Sequence, residues 1–363
     1  MKNFIQLSFT IAFLFLVELS FGQILYGLEK PNGNINAPFD VVSIDPMTGV
    51  STSLFSTNSL SAVAVGATAY DQQNERYICW GYDTNNAQRL FVADIDSGVV
   101  VSQPIISGQP IEMEYDLNKQ KNYGLWYDQS QSMEYFVSID LNTGVLTNIA
   151  ALPTVSAVAI GNSTFDSNLA RYIFIGIENN QQKLITIDAG SGNILSTVPI
   201  NQNQVDIGGL EYDVVANKLY GLHNQIDSSK YDPAAGTYHR DVYFAEINTS
   251  TGAITVINTT PVNQGIYVGY IVGGIAFDQQ TQRYIAAVSG GVGSANGFYL
   301  KTIDANTGQV IADVSLGSNT GFNEIQCDNY SFAKSFYINT KTNETPLITG
   351  EIFPNPATDW LNI

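Results

Sequence analysis

Two short motifs take turns along most of this chain, and their spacing constrains its fold more than any other feature. The first is an apolar run followed by Asp, two variable residues, a small or hydroxyl residue and Gly. It occurs as Asp45 to Gly49, Asp94 to Gly98, Asp140 to Gly144, Asp188 to Gly192, Asn248 to Gly252 and Asp304 to Gly308. Its glycines stand 49, 46, 48, 60 and 56 residues apart. The second is an aromatic residue followed by Asp, with a base five positions after the Asp. Its Asp and basic members are Asp71 and Arg76, Asp116 and Lys121, Asp166 and Arg171, Asp213 and Lys218, and Asp278 and Arg283. A repeat of this length is one supersecondary unit, which buries its apolar faces only against its neighbours.

Each motif reads as a tight turn. β-branched runs such as Leu184 to Ile187 and Asn193 to Leu195 flank the first one. Its Asp caps backbone N–H groups two residues on, and its Gly takes the positive-φ position. Calcium ligation is the functional alternative, but it needs five or more converging oxygens, and each turn offers one or two carboxylates. The second motif is also a hairpin turn, in which Asp and base are expected to pair across the mouth. One period then holds four strands, exemplified by Gly209 to Asp213, Lys218 to His223, Val242 to Asn248 and Ala253 to Asn258. Four-stranded repeats of this length predict an all-β fold, a six-bladed β-propeller. Ring closure is legible as well. The segment from Ile24 to Leu28 matches the second strand of a repeat and lacks a first strand. The motif at Phe322 to Asp328 has no strands after it, so this C-terminal strand is expected to complete the first blade.

Composition narrows the function classes. Acidic residues number 33 against 15 basic ones, a net charge of −18, which argues against nucleic acid or an anionic membrane as partner. The 2 cysteines, Cys79 and Cys327, make neither a disulfide scaffold nor a zinc cluster. Residues 1–22 have the form of a signal peptide: Lys2, an apolar run over 4–17, and a small-x-small site at Ser20-Phe21-Gly22. No other stretch approaches about 18 apolar residues, so no membrane span is expected in the mature chain. The propeller is expected over 23–335 and a polar linker over 336–350.

Residues 351–363 include Phe353-Pro354-Asn355-Pro356-Ala357-Thr358-Asp359 and Leu361-Asn362-Ile363. This run resembles the opening of the type A C-terminal sorting domain of the type IX secretion system of Bacteroidota. The chain stops inside the first strand of such a domain, so the reading is of a truncated copy. The resemblance implies a secreted or outer-membrane-surface protein that engages the type IX secretion machinery.

Function is less legible. The two turn motifs occupy one face of the disc, and the long connections 30–38, 224–241, 258–271 and 289–297 occupy the other, where binding is expected. Second strands end on that face in Trp80, Tyr82, Trp126 and Tyr127, candidates for stacking on an extracellular glycan, peptide or protein. His223 and His239 flank the 224–241 connection, and His223 joins the candidate ligand contacts. On the innermost strands, alternation directs Glu112, Glu114, Asn162, Glu211 and Glu324 toward the central channel. Of these, Glu112, Asn162, Glu211 and Glu324 form a candidate oxygen site for a divalent cation such as calcium. That arrangement is similar to six-bladed calcium-dependent lactonases of the gluconolactonase type, although no linear motif of that family occurs. No nucleophile elbow is present. The leading expectation is therefore a secreted binding module without catalysis of its own, and the alternative is a metal-dependent hydrolase or lactonase-like enzyme working in the channel.

Overall fold

The computed structural model describes residues 24–31, 34, 37–200, 206–233, 237–265, 268–290, 297–317 and 323–327. The signal segment 1–22, the linker 336–350 and the sorting segment 351–363 lie outside the described residues. Among the described residues there is no α-helix, and none long and apolar enough to cross a membrane. The structure is a six-bladed β-propeller of small antiparallel sheets around one axis.

Blade 1 contains β1 (Leu25–Glu29), β2 (Asp40–Ile44) and β3 (Ser51–Ser56). Blade 2 is β4 (Leu60–Asp71), β5 (Arg76–Asp83), β6 (Gln88–Asp94) and β7 (Val99–Ser102). Blade 3 is β8 (Ile111–Asp116), β9 (Lys121–Asp128), β10 (Met133–Ile139) and β11 (Leu146–Leu152). Blade 4 is β12 (Ala157–Asp166), β13 (Arg171–Glu178), β14 (Gln181–Asp188) and β15 (Ile194–Pro199). Blade 5 is β16 (Asp206–Asp213), β17 (Lys218–Asp232), β18 (Thr237–Ile247) and β19 (Ile254–Val256), with the short β20 (Asn263–Gly265) also paired to β18. Blade 6 is β21 (Gly269–Asp278), β22 (Arg283–Ser289), β23 (Phe298–Asp304) and β24 (Val310–Gly317).

The last strand, β25 (Asn323–Cys327), closes the ring. It pairs antiparallel with β1, Leu25 opposite Cys327 and Leu28 opposite Asn323, and so becomes the innermost strand of blade 1. The expected closure and blade count both hold.

Packing explains why the repeat is obligatory. Successive residues of a second strand face opposite neighbours. On β9, Tyr123 and Leu125 enter the core shared with blade 4, while Trp126 packs at the joint with blade 2. Six apolar clusters result, one at each joint between blades. The aromatic residue before each repeat Asp takes part as expected. Phe165 stacks on Tyr123 of the preceding blade at 6.0 Å, and Phe277 stacks on Tyr220 at 5.7 Å. Each fully buried ring contributes roughly 1.5–3 kcal/mol through area removed from water.

The first turn motif behaves as its chemistry dictates. Asp45 Oδ1 accepts the Met47 N–H at 2.8 Å, the Gly49 N–H donates to the Asp45 carbonyl at 2.8 Å, and Gly49 has φ +68°. The second motif departs from expectation. Asp213 Oδ1 accepts the N–H groups of Val215 and Ala216 at 2.9 and 3.0 Å, and the Asp71, Asp116, Asp166 and Asp278 carboxylates cap their own turns in the same way. The base opposite is left to other partners, as where Lys218 pairs with Glu246 at 2.8 Å. Capping two N–H groups at once outcompetes an ion pair that solvent would screen.

Candidate functional site

Every described inner strand except β25 carries a bulge with one residue in the left-handed region. These residues are Gly66, Glu112, Gly161, Gly209 and Gly273. In each of these strands the pairing with the second strand shifts register around that point. A bulge of this kind favours Gly because a Cβ is strained there. Blade 3 places Glu112 in the role, at φ +56°. Its carboxylate supplies the compensation: Oε1 accepts the Gly161 N–H at 2.6 Å and Oε2 the Asn162 N–H at 2.7 Å. The Tyr172 hydroxyl donates to the Glu112 carbonyl. Glu112 thus ties the bulge of blade 3 to that of blade 4. Gly66 must be glycine for a second reason, since a Cβ there would come 2.6 Å from Glu112 Oε1.

One residue pair further along, Ser163 Oγ donates to Glu114 Oε1 at 2.7 Å. Glu114 and Glu211 stand between two small cavities on the axis. One of about 120 Å³ is lined by Glu114, Thr164, Glu211 and Gln279. The other, of about 60 Å³, is lined by Glu112, Glu114, Ser163 and Glu211. Burial pushes the Glu112 carboxyl up to about 7. Burial, reinforced by repulsion from Glu112, pushes Glu114 up to about 8. Glu211 is raised well above the usual carboxylate range by burial and then by Glu114. The channel is therefore a polar, proton-holding plug. Its cavities have room for waters, whereas small-molecule ligand sites occupy roughly 300–1,000 Å³.

The channel candidates meet different fates. Glu112 and Asn162 come together, but both Glu112 oxygens are taken by backbone amides, and Asn162 Nδ2 donates to the Ile160 carbonyl and the Tyr270 hydroxyl at 3.2 and 3.1 Å. Glu211 joins the same plug beside Glu114. Glu324 lies on β25, and its side chain is outside the description. Among the described residues, no three His, Cys, Asp or Glu side chains group as a metal centre.

The aromatic candidates do not form one surface platform. Trp80, 4% exposed, donates its indole N–H to the Pro110 carbonyl and belongs to the core between blades 2 and 3. Tyr82 and Trp126 pack against the same core. All three project into the joint from strands that line it. Tyr127, the next residue along β9, is 48% exposed. His223 is buried on β17, and His239 stands on β18 opposite Asp227. Four ladder positions separate the two histidines, so they do not converge.

Much of the connection over 224–241, expected as one of the long connections on the binding face, is regular hairpin. β17 and β18 run on as a hairpin paired as far as Asp232 and Thr237, with a register shift between Asp227 and Tyr231. Tyr231 and Tyr238 make an edge-to-face pair with ring centroids 5.0 Å apart, and both are exposed, by 52% and 42%. Ile226 on the same hairpin is also exposed, and Lys230 pairs with Asp227 at 2.8 Å. One mark of this element in the sequence is the spacing Tyr231-x6-Tyr238, which by itself does not distinguish a hairpin from a loop.

No protein-family model matches the sequence, and no curated protein matches it. Solved structures are similar in fold. TolB from Acinetobacter baumannii aligns with a TM-score of 0.57 at 13% identity, over 85% of this chain and 66% of that one. The chain thus spans about two thirds of the length of that protein. A chain of a nidogen/laminin complex aligns with a TM-score of 0.54 at 11% identity, over 85% of this chain and 99% of that one. At these identities the likeness is one of architecture, and propellers host unrelated functions.

Proposed function

We propose that this protein is a secreted or surface-displayed propeller that binds an extracellular protein, peptide or glycan, exported through the type IX secretion system. The observation that carries the binding reading is the projecting β17–β18 hairpin with its exposed tyrosine pair. Exposed aromatic side chains on a rigid element give large contact area at small entropic cost. The small cavities of the channel, in which neighbouring groups take up Glu112 and Glu114, support placing the site on the hairpin rather than on the axis. A chain of similar fold occurs in a nidogen/laminin complex, which accords with a propeller used for macromolecular contact. The export reading rests on the signal-like segment 1–22 and on the sorting-domain resemblance of 351–363.

A glycan and peptide array tests the binding reading. Binding is expected to fall at least tenfold in the Tyr231→Ala/Tyr238→Ala double variant while its melting temperature stays within about 2 °C, as befits exposed positions. Array binding that survives the double substitution sinks this site. A second reading, a cation-dependent hydrolase in the channel, draws on Glu114 and Glu211. Elemental analysis separates the two: a stoichiometric divalent ion lost in Glu211→Gln favours the enzyme.

A further inference from the structure

One position breaks the pattern that the blades otherwise share. The residue after the repeat base faces the preceding blade and fills that joint. It is Tyr77, Tyr172, Leu219 or Tyr284 in blades 2, 4, 5 and 6, each buried in the corresponding core. Blade 3 has Asn122 there. Its side chain is 1% exposed, and neither its Nδ2 nor its Oδ1 has a hydrogen-bond partner within the protein. Beside it a cavity of about 430 Å³ opens between blades 2 and 3 at the end carrying the short turns. The Nε of Arg76, across the joint, is also buried without a partner.

Two orphaned polar groups on one cavity are costly, because each has been stripped of water without recompense. The four joints just named show that an apolar or aromatic residue suits the position. Retaining Asn122 therefore lowers stability unless something else uses its amide. The volume falls within the range of small-molecule sites. Its chemistry narrows the occupant. Asn74, Gln120, Asn122 and Asn142 line it; Asn74 Nδ2 donates to Asp71 Oδ2 and Gln120 Nε2 to Gln73 Oε1, whereas the Asn122 carboxamide keeps both its donors and its acceptor. Arg76 and Lys121 balance Asp71 and Asp140 in charge, and the Tyr115 side chain forms part of the wall. Hydroxyl groups both donate and accept, so vicinal hydroxyls match a ring of carboxamides, whereas a charged ligand does not match a balanced wall.

We propose that this inter-blade cavity binds a neutral saccharide unit, with Asn122 and Arg76 hydrogen-bonding its hydroxyls. The site is distinct from the tyrosine hairpin and lies toward the opposite end of the blades. The test is saturation-transfer NMR on the full chain with glucose, galactose, mannose, N-acetylglucosamine and cellobiose, each alone, and with glycine as the zwitterionic comparison. At least one sugar is expected to show transfer, and glycine none. Asn122→Leu installs the residue type found in blade 5. It is expected to raise the melting temperature by a few degrees, because an orphaned amide is removed, and to abolish the transfer. Arg76→Gln should weaken binding about tenfold and keep the fold. Tyr231→Ala/Tyr238→Ala should leave the sugar signal intact, which separates this site from the hairpin. Absence of transfer from every sugar, transfer from glycine alone, or undiminished transfer in Asn122→Leu overturns the proposal.

Discussion

Three carboxyl groups on the propeller axis couple stability to pH. Glu112, Glu114 and Glu211 are all raised, with burial the leading cause. In the unfolded chain such a group titrates near 4.5, whereas Glu114 in the fold holds its proton to about 8. Between those values the folded state binds more protons than the unfolded state, so stability falls as pH rises. The contribution is fully present below about pH 4.5 and lost by about pH 8. The slope reaches about 1.4 kcal/mol per pH unit for each group. Wild-type melting temperature is therefore expected to decline between pH 5 and pH 8. Glu114→Gln should decline less and melt higher than wild type at pH 8. Coincident profiles for the two proteins would refute this account of the axis. Glu112 was visible in the sequence as a channel carboxylate. Its positive φ and its grip on the Gly161 and Asn162 amides were not, because a bulge depends on how two strands pair rather than on either alone.

At the scale of elements, the turns were the most legible part. The Asp-x-x-Thr-Gly spacing specifies its own hydrogen bonds locally, and the structure places them where the chemistry requires. Gly192 shows how tightly such a turn is held. It has φ +74°, and a Cβ would stand 2.7 Å from Ala150 Cβ and 2.9 Å from Ile149 Cγ2 of blade 3. Gly192→Ala is expected to cost about 1–3 kcal/mol, from the left-handed backbone and the contact together, read as a lower urea midpoint in equilibrium unfolding. An unchanged midpoint would mean that blades 3 and 4 yield freely there. The hairpin of β17 and β18 was missed for the opposite reason. Residues 224–232 are mostly polar and lack the two-residue alternation of a half-buried strand, so apart from the tyrosine spacing the pattern gave no warning that they pair. Similarly, Trp80 and Trp126 carried no sequence mark that separated a ring packed into a joint from one offered to a ligand.

At the scale of the whole molecule, closure depends on one short strand from the far end of the chain. β25 pairs with β1 and also lies against the inner strands β4 and β21. Removing everything after Gly321 deprives Leu25, Tyr26 and Leu28, all buried, of that cover. Each large side chain exposed forfeits roughly 1.5–3 kcal/mol, and a few of them approach the whole stability of about 5–15 kcal/mol. The truncated chain is expected to aggregate or to lose its cooperative melting transition in calorimetry. A truncation that melts like the parent would show that blade 1 holds without its inner strand. Deleting 341–363 is expected to leave the melting transition unchanged and to stop surface delivery, checked by fractionating the native host.

The sequence by itself determined the repeat, the turn chemistry, the number of blades and the strand that closes the ring. Each of these follows from residues near one another in the chain or from a period that recurs along it. Only the tertiary structure decided which side chains meet across a joint. It sealed the axial glutamates into a plug too small for a small-molecule ligand, and packed two tryptophans into the core. It also left Asn122 alone beside a cavity where its counterparts fill theirs. Contacts of this kind join residues in different blades, 30 positions apart for Trp80 and Pro110 and 49 for Glu112 and Gly161, and their geometry is set by packing between blades rather than by local pattern.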